Sequence, residues 1–329
     1  MNRHLNNLMM LLRQREFCLL TLVGATVAFA TAFDSAFLAF GNLRDILVRC
    51  APTAIVACGV MLVVVTGEID ISVGSLMALL AAILGVTIST NEWAWPTWAG
   101  LLIVLTFGTA VGLLTGALVT FGRVPSIIVT LGLLTALRGI STLIMGGENI
   151  DRLPPGLESL SKVGILGVPI SIWAAAVTVA LTAAIISWTP LGRRLYALGS
   201  SLHSARFAGL SEHRLKLFVF AYTGFLTALA TIVDVPRLPK IEAGIGVGFE
   251  LLVVTCVVVG GVSIAGGRGR LAGVLLAVVL MTMIRPVLTF MDIGEAGEKW
   301  TKAIQGMFIL LAVLIDSIVS RQTRRGTPP

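Results

Sequence analysis

Apolar stretches repeat along the whole chain and are separated by short polar segments. A helix needs about 20 mostly apolar residues to cross the hydrocarbon layer of a bilayer. The pattern therefore predicts an all-α, polytopic membrane protein with about ten transmembrane helices. The predicted spans are Phe17–Phe33, Ile46–Thr66, Gly74–Ser89, Thr97–Phe121, Ser126–Met145, Ile170–Trp188, Leu217–Val235, Phe249–Ile264, Leu271–Phe290 and Trp300–Ile318.

The polar ends of the chain set the predicted domain boundaries. Residues 1–16 are basic and lack a small-residue cleavage site, so we predict a retained cytoplasmic leader. Residues 17–318 form the predicted transmembrane domain, and residues 319–329 form a cytoplasmic tail.

The longest polar interval is Thr189–Lys216, and it contains five basic residues and one acid. Lys and Arg concentrate in loops that stay on the cytoplasmic side of a membrane. If this interval and both termini lie inside, the inner segments hold most of the Lys and Arg and the outer segments most of the acids. The charge pattern therefore predicts an even number of spans and a cytoplasmic loop over residues 190–216.

This basic interval also has a predicted structure of its own. Leu191–Leu198 is expected to extend the preceding span as a helix, and Gly199–Ser201 to break that helix and supply a hydroxyl cap. A second short helix over Leu202–Leu210 places Leu202 and Arg206 on one face. A solvated tether would also be basic, but a tether needs no apolar face. We therefore predict a docking element for a cytoplasmic partner.

A polar break, TGEIDISVGS, interrupts the apolar pattern at Thr66–Ser75. Glu68 and Asp70 would each cost about 2.5–3.5 kcal/mol if they faced lipid. Asp70 or Ser72 is expected to cap the following helix. A compatible functional interpretation is that the break lines or gates a solute path, because irregular backbone at membrane depth occurs only inside protein or a wet cavity.

Composition excludes several classes of protein. The 329 residues are 56% hydrophobic and 12% charged, with a mean hydropathy of +0.96, which excludes a soluble globular domain. The net charge of +7 is spread over many loops, so we predict no nucleic-acid binding. The cysteines and histidines form no pattern of metal ligands or catalytic groups. We expect no metal, no cofactor and no enzymatic activity in this chain.

A second glycine-rich break, GGVSIAGGRGR, covers Gly260–Arg270. It resembles a phosphate loop only superficially, because the Walker A pattern and the Rossmann spacing are both missing. Ionisable residues near or within spans are expected either to pair between helices or to contact a solute. They are Arg138, Asp234, Glu250 and Arg285.

Several segments together resemble the permease subunit of ribose-type monosaccharide ABC importers, a family that includes permeases for xylose, rhamnose and a furanose-derived autoinducer. The similarity runs from Asn42 to Asp316. It implies a permease dimer, two cytoplasmic subunits that bind ATP and Mg²⁺, and a periplasmic sugar-binding protein. The segments are GEIDISVGS, GRVPSIIVTLGLLTALRG, TPLGRRLYALGSSLHSARFAG, GFELLVVTCVVVGGVSIAGGRGRLAG and ILLAVLID.

The resemblance also assigns expected roles to residues. Glu68 departs from the family, which more often has a neutral residue there. Coupling to the ATPase is expected at Leu191, Gly192, Arg193, Tyr196, Ala197, Gly199, Ala205, Arg206 and Gly209. Candidates for the translocation path or gate are Asp70, Ser72, Gly74, Ser75, Thr130, Thr135 and Arg138. The glycine-rich inner turn contains Gly260, Gly261, Gly266 and Gly267.

The sequence therefore predicts the permease of an ATP-driven sugar importer, in the bacterial inner membrane with both termini cytoplasmic. An ion-coupled secondary sugar transporter is the alternative, and it requires an ion or proton site at the membrane midplane. A membrane-embedded enzyme would require a nucleophile or a metal cluster. The sequence leaves open which sugar is carried and whether the dimer is homomeric or heteromeric.

Overall fold

A computed structural model describes residues 15–154, 157, 164–292 and 296–325 of the chain. The remaining parts of the predicted leader and tail, residues 1–14 and 326–329, lie outside the described residues. Two 3-10 turns cover Ser35–Leu38 and Val235–Arg237, and a small antiparallel hairpin pairs Gly164–Ile165 with Val168–Pro169. The helices are α1 (Arg15–Phe33), α2 (Phe40–Val65), α3 (Val73–Ile88), α4 (Thr97–Thr120), α5 (Ser126–Met145), α6 (Ile170–Trp188), α7 (Pro190–Ser200), α8 (Leu202–Phe207), α9 (Glu212–Asp234), α10 (Phe249–Val259), α11 (Leu271–Phe290) and α12 (Ala296–Arg325).

Seven of the described helices are long and apolar enough to cross a membrane: α1, α2, α4, α5, α6, α9 and α11. Two shorter apolar helices, α3 and α10, occupy the third and eighth predicted spans with 16 and 11 residues. The 30-residue α12 contains the tenth. The prediction of an all-α, polytopic membrane protein is confirmed. The number ten is approximate, because α3 and α10 are shorter than the ~20 residues of a full crossing.

Helix α2 forms the centre of the bundle. It is buried from Cys50 to Val65 and packs against α6, α9, α10 and α11. Its sequence is apolar on all sides over this length, which is typical of a helix surrounded by other helices. Gly59 permits close contact with α9, because a Cβ there would lie 2.9 Å from the Cα of Thr223.

Helices α4 and α9 approach each other through glycine. Gly108 and Gly112 of α4 lie against the backbone of Gly224 and Phe220 on α9, where a Cβ would collide with carbonyl oxygens. Small residues at such spacing allow two helices in lipid to pack with their backbones close together. The abundance of glycine in the chain therefore has a direct packing role at this interface.

The basic interval is built differently from its prediction. The expectation that Leu191–Leu198 extends the preceding span is wrong, because Thr189 is extended (φ −103°, ψ 153°) and separates α6 from α7. Thr189 Oγ1 accepts a hydrogen bond from Gly192 N–H at 3.4 Å, and Pro190 starts α7 at the position where no N–H is needed. Helix α8 also ends at Phe207, before a turn that contains Gly209 with φ +74°.

Candidate functional site: the coupling end and the helix breaks

Three segments that are far apart in sequence meet at one end of the bundle, which we call the coupling end. They are the end of α2 at Val65–Gly67, the end of α7 at Gly199–Ser200 and the turn at Gly266–Gly267. Gly267 N–H donates to Val65 O at 2.8 Å. A Cβ at Gly199 would collide with Val65 O and would lie 2.6 Å from Gly267 N. We call this contact the glycine junction; it fixes α7 directly to the end of α2 and to the glycine-rich turn.

Tyr196 provides a second attachment between α7 and the turn. Its hydroxyl donates to Gly269 O at 2.8 Å. Burial raises the pKa of the Tyr196 phenol above its usual value, so the side chain stays neutral and keeps its donor. Ser200 Oγ donates to Tyr196 O at 2.8 Å and reaches Gly267 O at 3.5 Å. Helix α7 is thus held at two points along its length.

The residues expected to couple to the ATPase divide into anchors and an outer surface. Gly192 and Ala205 are buried, and Leu191, Tyr196 and Gly199 are partly buried. The other coupling residues are exposed: Arg193, Ala197, Arg206 and Gly209. An exposed basic surface on a firmly held helix pair is what docking of another subunit requires.

A line of ion pairs joins α8 to the first break, and we call it the charge chain. Arg206 Nη2 lies 2.7 Å from Glu212 Oε2, Lys216 Nζ lies 2.7 Å from Glu212 Oε1, and the same Nζ lies 2.5 Å from Glu68 Oε1. The side chains of Glu68, Glu212 and Lys216 are only 11–14% exposed. Buried ions are tolerated when each charge has a partner, as here.

A cavity of about 770 Å³ lies beside the charge chain. All four members of the chain line it, together with Arg123 and other residues that follow α4. The cavity therefore lies between Arg206 of α8 and the α4–α5 connection.

The first break has a tight internal structure. Asp70 Oδ1 accepts hydrogen bonds from Ser72 N–H at 2.9 Å and Ser72 Oγ at 2.7 Å. Ser75 Oγ donates to Ser72 O at 2.8 Å, whereas Ser72 makes no side-chain cap to α3. Asp70 thus orders the turn before α3, and Ser72 occupies the N-cap position without capping through its hydroxyl.

Helix α5 is tied to the same break. Ser126 Oγ accepts from Ile69 N–H at 3.1 Å, and Thr130 Oγ1 donates to Ile69 O at 3.3 Å. Thr130, like Asp70, Ser72 and Ser75, is buried. These four path candidates therefore form one cluster. Thr135 lies apart from them on an exposed face of α5.

The other two path candidates, Gly74 and Arg138, meet at the loop before α10. Arg138 Nη1 donates to Ile245 O at 2.6 Å. A Cβ at Gly74 would lie 2.8 Å from Gly246 O and would collide with Glu250 Oε2. That Glu250 oxygen is buried and accepts no hydrogen bond from the described residues. The loop thus connects α3 and α5 to the start of α10.

The remaining glycines of the inner turn support its packing. A Cβ at Gly260 would lie 2.5 Å from Val274 Cα, and Gly261 has φ +90°, a conformation that glycine adopts readily. Among the described residues, no group of three or more His, Cys, Asp or Glu side chains is arranged to hold a metal ion.

Residues 42–313 match the family described as "Branched-chain amino acid transport system / permease component". The chain belongs to this permease family. It is 33% identical to the ribose import permease protein of Haemophilus influenzae over 311 residues, which cover 93% of this chain and 94% of that protein. It is 33% identical to an autoinducer 2 import system permease protein of Salmonella paratyphi B over 301 residues, covering 92% and 85%.

The corresponding ribose permease of Escherichia coli K12 is 32% identical over 295 residues, covering 88% of this permease and 90% of that protein. No solved structure gives a significant match. The family match contains the glycine junction, the charge chain and every path candidate. The resemblance to ribose-type importer permeases is thereby confirmed.

Sequence reasoning about the permease missed the charge chain. Lys216 was counted only among the basic residues of the central interval, and Glu68 only as a costly acid of the polar break and a departure from the family pattern. One signal was present, since Glu212 and Lys216 are four residues apart on a helix and such pairs interact. Nothing in the sequence placed Glu68 beside them, because 148 residues of chain separate Glu68 and Lys216.

Proposed function

We propose that this permease is the transmembrane subunit of an ATP-driven ABC importer that carries a monosaccharide from the periplasm to the cytoplasm. The solute class comes from the relatives, which suggest a ribose-like pentose or hexose, or a furanose-derived autoinducer. One observation carries the mechanism: the exposed helix α8 is joined through the charge chain to the break that starts α3.

The proposed partners follow from what the chain contains and lacks. Separate cytoplasmic subunits bind ATP and Mg²⁺, because the sequence has no Walker A motif. They dock on the exposed residues Arg193, Ala197, Arg206 and Gly209. A periplasmic sugar-binding protein delivers solute at the opposite end, and a second permease copy or paralogue completes the path.

The proposed orientation places the coupling end in the cytoplasm of a bacterial cell, with the permease in the inner membrane. The basic residues of α7 and α8 support this side by the positive-inside rule. Both termini then lie in the cytoplasm.

ATP-driven closure of the docked subunits displaces α7 and α8 in this mechanism. The glycine junction passes the displacement to the end of α2 and to the turn between α10 and α11, since Gly199 is in backbone contact with Val65 and Gly267. The charge chain passes it to Glu68 and so to α3 and α5, which are tied to the break by Asp70 and Thr130. Solute passes between the two permease copies as these helices move.

An ion-coupled secondary transporter remains the second candidate, and one observation favours it. Glu250 lies in the first turn of the half-length helix α10, and one of its oxygens is buried and accepts no hydrogen bond from the described part of the chain. An acid at membrane depth is the kind of group that carries a proton in coupled transport. Arg138 is its electrostatic partner, which also fits a purely structural ion pair.

Reconstitution distinguishes the two functions. Proteoliposomes with the full-length permease, its ATP-binding subunit, ATP and a loaded binding protein should accumulate labelled monosaccharide, and a protonophore should leave that uptake unchanged. Permease alone should show no uptake under an imposed proton or sodium gradient. Gradient-driven accumulation by the isolated permease would replace the importer with the secondary transporter.

A further inference from the structure

The end of the bundle opposite the coupling end contains an open cavity of about 340 Å³ with three arginines in its wall. They are Arg49 of α2, Arg237 of the 3-10 turn after α9 and Arg285 of α11. A second cavity of about 260 Å³ shares Arg49 and Arg285 with the first. We call the two together the arginine cavity.

The acids at the arginine cavity neutralise only part of this charge. Asp234 Oδ1 is 2.7 Å from Arg237 Nη1 and is thereby engaged. Among the described residues, no carboxylate lies within ion-pair distance of Arg49 or Arg285. Arg49 is attracted at longer range by Asp45 and Asp234, but it is also repelled by Arg237 and Arg285. Two guanidinium groups thus lack a close counter-ion.

The side chains of both arginines are exposed, although each residue belongs to a long apolar helix. Arg49 lies three residues inside the predicted span Ile46–Thr66, and Arg285 lies five residues before the end of Leu271–Phe290, which is about 5 Å and about 8 Å at 1.5 Å per residue. An arginine that faces lipid costs about 2.5–3.5 kcal/mol at the centre of a span, and one near a span end directs its guanidinium group towards the polar interface. The surface that carries them therefore faces water or a polar ligand.

The rest of the wall suits a small polyol. Thr53, Thr282 and Gln305 supply uncharged hydrogen-bonding groups, and Phe249 and Met281 supply apolar surface. Ligand cavities commonly have about 300–1,000 Å³ and combine apolar walls with a few placed polar groups. The cavity also includes Ile245 and Gly246, the residues that contact Arg138 and Gly74. It is thereby continuous with the path candidates.

We propose that the arginine cavity receives the solute, and that this solute carries a carboxylate or a phosphate that Arg49 and Arg285 bind. The chemical class is an acidic monosaccharide. The inference rests on the proposed function and deepens it by assigning a charge to the solute. Guanidinium groups bind carboxylate and phosphate by paired, charge-assisted hydrogen bonds. A neutral sugar would supply no counter-ion to either arginine.

Binding to the full-length permease in nanodiscs of uncharged phosphatidylcholine tests the charge of the ligand. The probes are D-glucuronate and ribose 5-phosphate, compared by calorimetry with neutral D-glucose and D-ribose. We expect at least one acidic probe to bind about tenfold tighter than its neutral counterpart, equal to about 1.4 kcal/mol. Added salt should weaken that binding. Equal affinity for acidic and neutral probes would overturn the proposal.

Substitutions of the two arginines test whether the acidic probe binds in the arginine cavity. The double variant Arg49→Gln/Arg285→Gln should lose the preference for the acidic probe, and Arg285→Lys should keep part of it. Arg44→Gln is the matched control, because Arg44 is on the same helix but lines neither cavity. Size-exclusion profiles show whether each variant folds. An unchanged preference in the folded double variant would contradict the assignment to this cavity.

Two further experiments distinguish a lipid headgroup from a free solute as the bound anion, and distinguish failure of the acidic-solute inference from failure of the proposed function. If phosphatidylglycerol in the nanodisc abolishes binding of the acidic probe to the parent permease, while lipid-free samples of the parent and of Arg44→Gln still bind that probe, a lipid headgroup occupies the site. The solute assignment is then overturned. If the reconstituted importer moves neutral monosaccharide with ATP, equally well in the parent and the double variant, the permease function stands and the acidic-solute inference fails.

Discussion

The two ends of the bundle are built by opposite means. At the coupling end, every charge in the charge chain has a partner, and the backbones of Val65, Gly199 and Gly267 are in contact. At the other end, Arg49 and Arg285 face an open cavity without a close counter-ion among the described residues. This difference fits the two proposals, because transmission of movement needs an internally connected region and binding of a ligand needs polar groups that are available.

Within the coupling end, two basic residues of one network should likewise differ in their effect on stability. Lys216 is nearly buried and fully paired, so its removal leaves Glu68 without a cation and takes one of two cations from Glu212. Arg206 belongs to the same chain, but its side chain is 63% exposed and water replaces much of what its partner provides. The contribution of a charge thus follows its burial and its partners, and the variants below test that relation.

The largest loss of stability is expected for Lys216→Met. The change leaves Glu68 and Glu212 close together without their shared cation, which costs about 3 kcal/mol for a buried pair. Adding Glu68→Gln should restore part of the loss, since Glu212 keeps Arg206. Thermal and denaturant unfolding of the purified permease measure the effect. Lys240→Met is the control at the opposite end; equal stability of the two variants would rule out a structural role for the charge chain.

A smaller loss is expected for Gly199→Ala. The new Cβ meets Val65 O and the backbone of Gly267, so the glycine junction must open at a cost of about 1–3 kcal/mol. Transport by the reconstituted importer should fall more steeply than stability. Gly139→Ala is the matched control, because a Cβ at Gly139 meets nothing within 4 Å. Wild-type uptake with Gly199→Ala would show that the close contact is not needed.

The smallest change in stability is expected for Arg206→Glu, less than about 1 kcal/mol, because the Arg206 side chain is 63% exposed and Glu212 keeps its pair with Lys216. Binding to the ATP-binding subunit should nevertheless be lost, since α8 then presents an acid on its docking surface. Retention of that subunit on immobilised permease is the measurement, with Arg206→Gln as a milder variant. Arg214→Glu, an exposed change outside the docking set, should bind normally. Normal retention by Arg206→Glu would disprove docking on this face.

Most of the architecture could be predicted from the sequence, because apolar runs of membrane-spanning length are a strong and local signal. The start of α8 was also predictable, since Ser201 is a favourable N-cap and its hydroxyl accepts from Ser204 N–H. The boundary between α6 and α7 was missed. Thr189 and Pro190 form a helix-start signal of their own, and the apolar run before them obscured it.

The contacts of the candidate site were much less predictable. Both glycine-rich breaks could be found as interruptions of apolar runs, but their meeting at Gly199 depends on how α2, α7 and α10 pack. The arginine cavity has the same limitation, because Arg49, Arg237 and Arg285 are on separate elements. Local sequence patterns identify residues that are unusual for a membrane span, and packing determines which of them become neighbours.

Solute uptake and ATP hydrolysis, measured in the same proteoliposomes for the parent importer and for Glu68→Gln, test the central claim most directly. This variant disconnects the break from Lys216, which keeps its pair with Glu212, so no charge is left unpaired. We predict that hydrolysis stays close to the parent rate while uptake falls about tenfold, within the usual range of coupling free energies. Parent-like uptake and hydrolysis together would contradict transmission through the charge chain.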